Sequence, residues 1–233
     1  MESAGMVQES ARGDAPSARY FVAVEFAIEG ELRFLSHHHT MVMLERSIVR
    51  AGLPIRYSQG FNPLVRLSLP LPRPVGIASQ AELAWMELCE ATAAADVAAR
   101  LAAVVPEGCR IQRVTAPGGA RTPLARSVAY ETPVAEQAVG GTRARLGRLL
   151  SLPELVIRRD SGPSKPLRDI DIRPYVGELA LEGRLLRMRL RITENGSAKP
   201  AEVLGELGLA AEEYVSITRR THVEWNVDLA GGA

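Results

Sequence analysis

Cysteine is nearly absent from this chain. Its 233 residues include two, Cys89 and Cys109, with nineteen residues between them. They form no Cys-x-x-Cys unit, and no histidine stands at zinc-ligand spacing from them. The chain alone therefore offers no ligand set for an iron–sulfur cluster, and the pattern predicts two reduced core thiols in a cytoplasmic protein. Long apolar runs are also missing. None approaches the ~20 residues that a membrane span needs, so no membrane association is expected. A net charge of +1, from 28 Lys and Arg against 27 Asp and Glu, gives no global attraction to polyanions, and any such attraction must come from local patches. There is no P-loop, no Gly-rich nucleotide fingerprint and no Ser-His-Asp order. The first residues, MESAGMVQESARGDAPSAR, have neither a basic start nor an apolar h-region and read as a disordered tail rather than a secretory signal.

What is present, 46% hydrophobic and 24% charged residues, is the composition of an ordinary soluble globular protein of one or two domains. Tyr20–Gly30 is aromatic and β-branched and reads as a strand. Ser36 stands at an N-cap position before a helix over Thr40–Ala51, whose apolar face is Met41, Leu44, Ile48 and Ala51 and whose stop is Gly52 and Pro54. Leu64–Leu71 alternates like a strand, confined to an edge or an end by Pro70 and Pro72. Ala81–Glu90 reads as a strand, Ala94–Val105 as a helix and Cys109–Ala116 as a strand. The order is βαββαβ.

Pro117–Pro123 is the linker candidate, and a similar order then restarts. RSVAYETPV reads as a strand, GTRARLGRLLSL as a helix and ELVIRRD as a strand. RDIDIRPYVGELALEG and RLLRMRLRIT are further strands, KPAEVLGELGL is a helix and EYVSITRRTHVEW is a last strand. The expectation is an α+β protein with two ferredoxin-like units in tandem. The units would span 20–116 and 126–228, with a tail over 1–19, a linker over 117–125 and a loose C-terminus over 229–233.

The span from Arg33 to Arg73 carries six arginines, Arg33, Arg46, Arg50, Arg56, Arg66 and Arg73, against one acid, Glu45. Helical spacing puts His39, Met43, Arg46 and Arg50 on an arc opposite the apolar face, with His37 nearer the core side. Three consecutive helical histidines therefore do not converge, and no metal site is expected. The turn Tyr57-Ser58-Gln59-Gly60-Phe61-Asn62-Pro63 adds aromatics and amides between two arginines, the combination that phosphate and base recognition use. A buried Phe61 would be a peg for the loop, and an exposed one a stacking platform.

A second basic stretch, Arg143–Arg191, has twelve basic residues against six acids. It includes Arg158, Arg159, Lys165, Arg168 and Arg173, with Arg187, Arg189 and Arg191 on one face of a strand. Asp169 and Asp171, set among arginines, are expected to form ion pairs rather than an acid–base dyad.

The stretch LRFLSHHHTMVMLERSIVRAGLPIRYSQGFNPLVRLSLPLPRPVGIAS, with DIDIRPYV and AKPAEVLGELGL, resembles the signature of the radical-SAM-linked proteins, a family of uncharacterised function. The matching positions include His37, Gly52, Pro54, Tyr57, Ser58, Gln59, Gly60, Phe61, Asn62, Pro63 and Ser68. His39 stands where the family pattern has aspartate. The resemblance implies a radical SAM partner enzyme that carries S-adenosylmethionine and an iron–sulfur cluster, with no cofactor bound by this chain. The first reading is an accessory, non-catalytic subunit that binds RNA, tRNA included, and presents it to that partner. Arg33, His39, Arg46, Arg50, Arg56, Arg66, Arg168 and Arg173 would hold phosphates, and Tyr57, Gln59, Gly60, Phe61 and Asn62 would read or stack a base. The alternatives are a metal-independent endoribonuclease using His37 and His39, and a protein-interaction module for the partner enzyme.

Overall fold

The computed structural model describes residues 18–117, 119–160 and 166–229. Most of the tail (1–17), most of the basic Gly-Pro-Ser-Lys-Pro loop with Lys165, and residues 230–233 lie outside the described residues.

The first half runs β1 (Tyr20–Ile28), a 3-10 turn (Gly30–Phe34), α1 (His37–Arg50), β2 (Leu67–Ser68), β3 (Ala78–Leu88), α2 (Ala94–Ala102) and β4 (Cys109–Thr115). β1 pairs antiparallel with both β3 and β4, and β2 pairs antiparallel with β3. The cap read from the sequence forms: Ser36 Oγ accepts from the His39 backbone N–H at 3.2 Å. Leu44 and Ile48 are buried in a core with Val22, Val24, Phe26 and Ile28 of β1 and Val97 and Leu101 of α2. That core covers the even-numbered face of β1, as the period of two in a strand requires.

The second half runs β5 (Ala125–Pro133), α3 (Glu136–Ser151), β6 (Val156–Arg159), β7 (Arg168–Asp171), β8 (Val176–Glu182), β9 (Leu185–Thr193), β10 (Gly196–Ser197), α4 (Pro200–Glu206), α5 (Ala211–Tyr214) and β11 (Arg219–Trp225). β9 lies between β5 and β8, and β11 pairs antiparallel with β5. β6 and β7 form a separate two-stranded hairpin.

The chain is thus α+β, with one mixed sheet of nine strands among the described residues; seven run in the order β10-β9-β5-β11-β3-β1-β4, with β2 added on β3 and β8 on β9. The two halves share this sheet, joined where β11 pairs parallel with β3 at Arg219↔Ala78 and Arg220↔Ser79. β2 takes the other end of the same β3 edge, at Met86 and Trp85.

Several element readings are corrected. The strand expected over Leu64–Leu71 is two residues long, because Pro70 has no N–H to donate to a ladder and Leu64 and Arg66 bond back across the arm to Ser58 and Arg56. The strand read through RDIDIRPYVGELALEG breaks at a 3-10 turn, Arg173–Tyr175, which has Pro174 in its first turn. The last strand begins only at Arg219, because Ala211–Ile217 is helical. There Thr218 Oγ1 donates to the Tyr214 carbonyl at 2.7 Å and buried Tyr214 anchors the turn. Cys109 is a core thiol as expected, but Cys89 is exposed at the end of β3.

Candidate nucleic-acid interface

The motif loop is a short arm fixed at its base. After Gly52 (φ +60) ends α1, Ile55 bridges Leu88 of β3 and Tyr57 bridges Val65 across the arm. Ser58 donates its backbone N–H to the Leu64 carbonyl at 2.7 Å, and its side-chain Oγ accepts from the Leu64 N–H at 2.9 Å. Arg66 N–H donates to the Arg56 carbonyl at 2.8 Å. These bonds close a five-residue tip, Gln59 to Pro63, in which Gly60 adopts φ +133, a conformation that disfavours any side chain.

The tip presents its side chains to solvent. Phe61 is fully exposed, at 106% of its reference area, Leu64 is 68% exposed and Tyr57 is 43% exposed. Gln59, Asn62 and Arg66 are exposed as well. Phe61 therefore meets the structural condition for a stacking platform and is not a peg.

Beneath the arm lies a carboxylate that sequence reasoning missed. Glu87 of β3, buried, accepts from Arg19 Nε at 2.6 Å and Nη2 at 2.8 Å. Arg56 Nε lies 2.9 Å from the same carboxylate. The hydrogen bond from Arg19 and the charges of Arg19, Arg56 and Arg66 hold the Glu87 carboxyl below its ordinary range. Three guanidiniums around one carboxylate leave the base of the arm net positive. Next to it the rings of Phe21 and Trp85 stack at 5.8 Å, with Arg19 over Phe21 at 5.1 Å. A hollow of about 360 Å³ runs between arm and sheet, lined by Arg19, Phe21, Ser58, Arg66, Trp85 and Thr122 among others. One signal could have found Glu87: a carboxylate inside an apolar strand, AELAWMELCE, needs a cation when buried.

The other candidate residues are dispersed. His37 is half-buried and His38 and His39 are exposed at the start of α1, the last two with ring centres 5.8 Å apart. Among the described residues, no three His, Cys, Asp or Glu side chains converge as a metal site would require. Arg46 and Arg50 are exposed on α1, and Arg50 donates to the Val104 carbonyl at 3.4 Å. Arg33 lies 4.8 Å over the ring of Phe34.

Arg168 is exposed on the distant β6–β7 hairpin. Arg173 donates to the carbonyls of Leu150, Leu152 and Val176, tying down the end of α3. Arg187 and Arg189 do share a strand face, but Glu131, Glu182 and Glu178 pair with them. Asp169 lies 3.5 Å from Arg158, whereas Asp171 accepts from the backbone N–H groups of Leu155 and Arg173 at 2.8 and 2.9 Å. Asp171 is therefore a turn cap, and the expected ion pairing holds for Asp169.

No curated protein matches the chain. A solved structure, the crystal structure of an unknown protein from Galdieria sulphuraria, is similar at 13% identity. The similarity covers 90% of this chain and 100% of that one, at a TM-score of 0.25. Residues 22–200 match a family described as an uncharacterized protein conserved in bacteria, DUF2344. That span contains the arm, Glu87 and most of both halves, and the chain belongs to this family.

Proposed function

We propose that this protein is a cytoplasmic accessory subunit that binds RNA, tRNA included, through the arm and presents it to a radical SAM partner enzyme. The observation that carries the reading is the fully exposed Phe61 on a tip whose base is fixed by hydrogen bonds. An aromatic ring held in solvent costs hydrophobic free energy unless something covers it. A single-stranded base stacks on such a ring, while Arg66 and the positive base of the arm meet the backbone phosphates. Gln59 and Asn62 supply amide donors and acceptors at the same tip. The partner, not this chain, would carry the S-adenosylmethionine and the iron–sulfur cluster. The strand order β4-β1-β3-β2 in the first half, and β11-β5-β9-β8 in the second, supports reading each half as a ferredoxin-like unit.

Exposed Leu64 beside Phe61 favours a second reading, in which the tip is an apolar plug for the partner enzyme itself. Fluorescence anisotropy with bulk tRNA at low and physiological salt separates the two. The first reading expects binding that weakens steeply with salt. It also expects a loss in Phe61→Ala of about 1–3 kcal/mol, the value of one stacked base. Salt-independent binding, or full affinity in Phe61→Ala, would refute it. Absent RNA binding together with co-purification of the partner that Phe61→Ala abolishes would establish the second.

A further inference from the structure

On the far side of β3 from Glu87, the two halves enclose a cleft of about 550 Å³, within the size range of small-molecule sites. Its walls are mostly apolar: Leu71, Ile77, Tyr130, Ile192, Pro200 and Val215 among others. Two arginines interrupt this lining. Arg73, from the Pro-Arg-Pro segment, is 6% exposed, and Arg220, at the start of β11, is 1% exposed.

Arg73 donates from Nη1 to the carbonyls of Arg33 and Ile77 at 2.6 and 2.8 Å, and from Nη2 to those of Leu32 and Leu35 at 3.2 and 3.3 Å. Arg220 donates from Nη1 to Glu82 Oε1 at 3.0 Å and from Nη2 to the Pro72 carbonyl at 2.9 Å, with its guanidinium 5.9 Å from the Tyr130 ring centre. The Nε–H groups of both are buried and have no acceptor. Burial, with the neighbouring charge of Arg220, pushes the Arg73 pKa down, and Glu82 only partly offsets this.

Two buried guanidiniums thus act on one carboxylate, whose ion pair is with Arg220, and this leaves one positive charge without a carboxylate partner just beneath the wall of an apolar hollow. Buried charges in folded proteins are normally paired, because an unpaired one costs several kcal/mol. A ligand with a negative head and an apolar body supplies both missing parts.

We propose that this cleft is a binding site for a small apolar carboxylate, its head meeting Arg73 and Arg220 and its body lying between Leu71, Ile192 and Val215. The site is separate from the arm and does not depend on the RNA reading. Charge complementarity selects the occupant: a neutral molecule of the same shape leaves the excess positive charge unbalanced, and a cation adds to it.

Isothermal titration calorimetry of the full chain with octanoate, octanol and octylammonium tests this. Octanoate is expected to bind one per chain. Octanol should be weaker by at least about tenfold, the value of a hydrogen bond to a charged group, and octylammonium should not bind. Ala201→Trp, which fills the cleft from its wall, should lose octanoate. Val75→Trp, at an exposed wall position, provides the same block should the first variant fold poorly by circular dichroism. The proposal is overturned if octanoate does not bind, if octanol matches it, or if a folded blocking variant keeps its affinity.

Discussion

Glu82 is the residue whose loss should cost the fold most for the fewest atoms changed. It sits on the interior strand β3, buried at 5% exposure, and faces Arg220 across the junction of the two halves. Its charge also acts on Arg73. Glu82→Gln keeps the shape but leaves two buried guanidiniums with no carboxylate between them. Breaking a buried ion pair by removing one partner costs about 3–5 kcal/mol.

In a chain of this length each kcal/mol is worth about 2–4 °C in Tm, so a fall of roughly 6–20 °C is expected. Arg220→Met is the informative comparison. It removes one cation, so the buried charge falls from +1 to zero, and Arg73 still acts on Glu82 through its charge. Because the carboxylate that remains is offset by Arg73, the cost of this variant is expected to fall below that of Glu82→Gln. Differential scanning calorimetry on the two variants at neutral pH reads the asymmetry directly. If Arg220→Met is as destabilised as Glu82→Gln, or more so, the count of two cations per carboxylate is wrong, and with it the electrostatic reason for an anion in the cleft.

Three further outcomes follow from other parts of the chain. Gly108 has φ +86, and a Cβ there would come within 2.8 Å of the Glu29 carbonyl oxygen. Gly108→Ala should therefore lose about 1–3 kcal/mol, read as a lower denaturant midpoint with an unchanged slope; an unchanged midpoint would contradict the contact. Burial, with the charge of Glu82, pushes the Cys109 thiol up to about 12, whereas Cys89 is exposed. Iodoacetamide under mildly alkaline conditions should give one adduct, on Cys89, by mass spectrometry and two after denaturation; native labelling of Cys109 would refute this. Glu87 titrates below its ordinary value because of Arg19, Arg56 and Arg66. A depressed carboxyl stabilises the fold fully above its unfolded-state value, and that contribution is lost as pH falls through the lower folded-state value. Glu87→Gln should accordingly be less stable than the parent at neutral pH and converge with it in acid, and a pH-independent difference in Tm would argue against the ion cluster.

Elements with strong local signals were legible. Ser36 followed by a one-sided apolar helix, a β-branched run closed by Gly30, and the apolar–arginine alternation of RLLRMRLRIT identify α1, β1 and β9 because capping and side-chain period act over a few residues. The start of the last strand, Glu213–Thr218, was not, because its β-branched residues favour a strand while burial of Tyr214 in the core of the second half holds Ala211–Ile217 helical. At the candidate site, the composition of the arm was visible and its exposure was not. Arg56 and Arg66 looked like free phosphate contacts, but their surroundings are set by Glu87, more than twenty residues away in sequence. Arg173 looked equivalent to them and instead serves three backbone carbonyls. Counting arginines locates a basic region; only the acceptors supplied by the fold decide which of them remain available to a ligand.

The same reasoning explains why the cleft lies where the halves join. β3 offers one free edge beyond β1, and β2 occupies its far end at Trp85 and Met86. β11 is left with Ala78 and Ser79, a contact of two residue pairs. A junction that short cannot bring the second half flush against the first along the strand. The gap beside it is walled by the Leu71–Ile77 segment on one side and by β9, β10 and the start of α4 on the other. Arg220 is in register with Ser79 at this junction, so its pairing with Glu82 reinforces a backbone contact that is otherwise two residues long. An anion bound at Arg73 and Arg220 would therefore bridge the two halves, and its occupancy should raise the stability of the junction itself. Hydrogen exchange of the β11 amides, slowed by octanoate in the parent chain and not in Ala201→Trp, is the expected sign of that coupling. Equal exchange with and without the ligand would mean that the cleft and the junction are energetically independent.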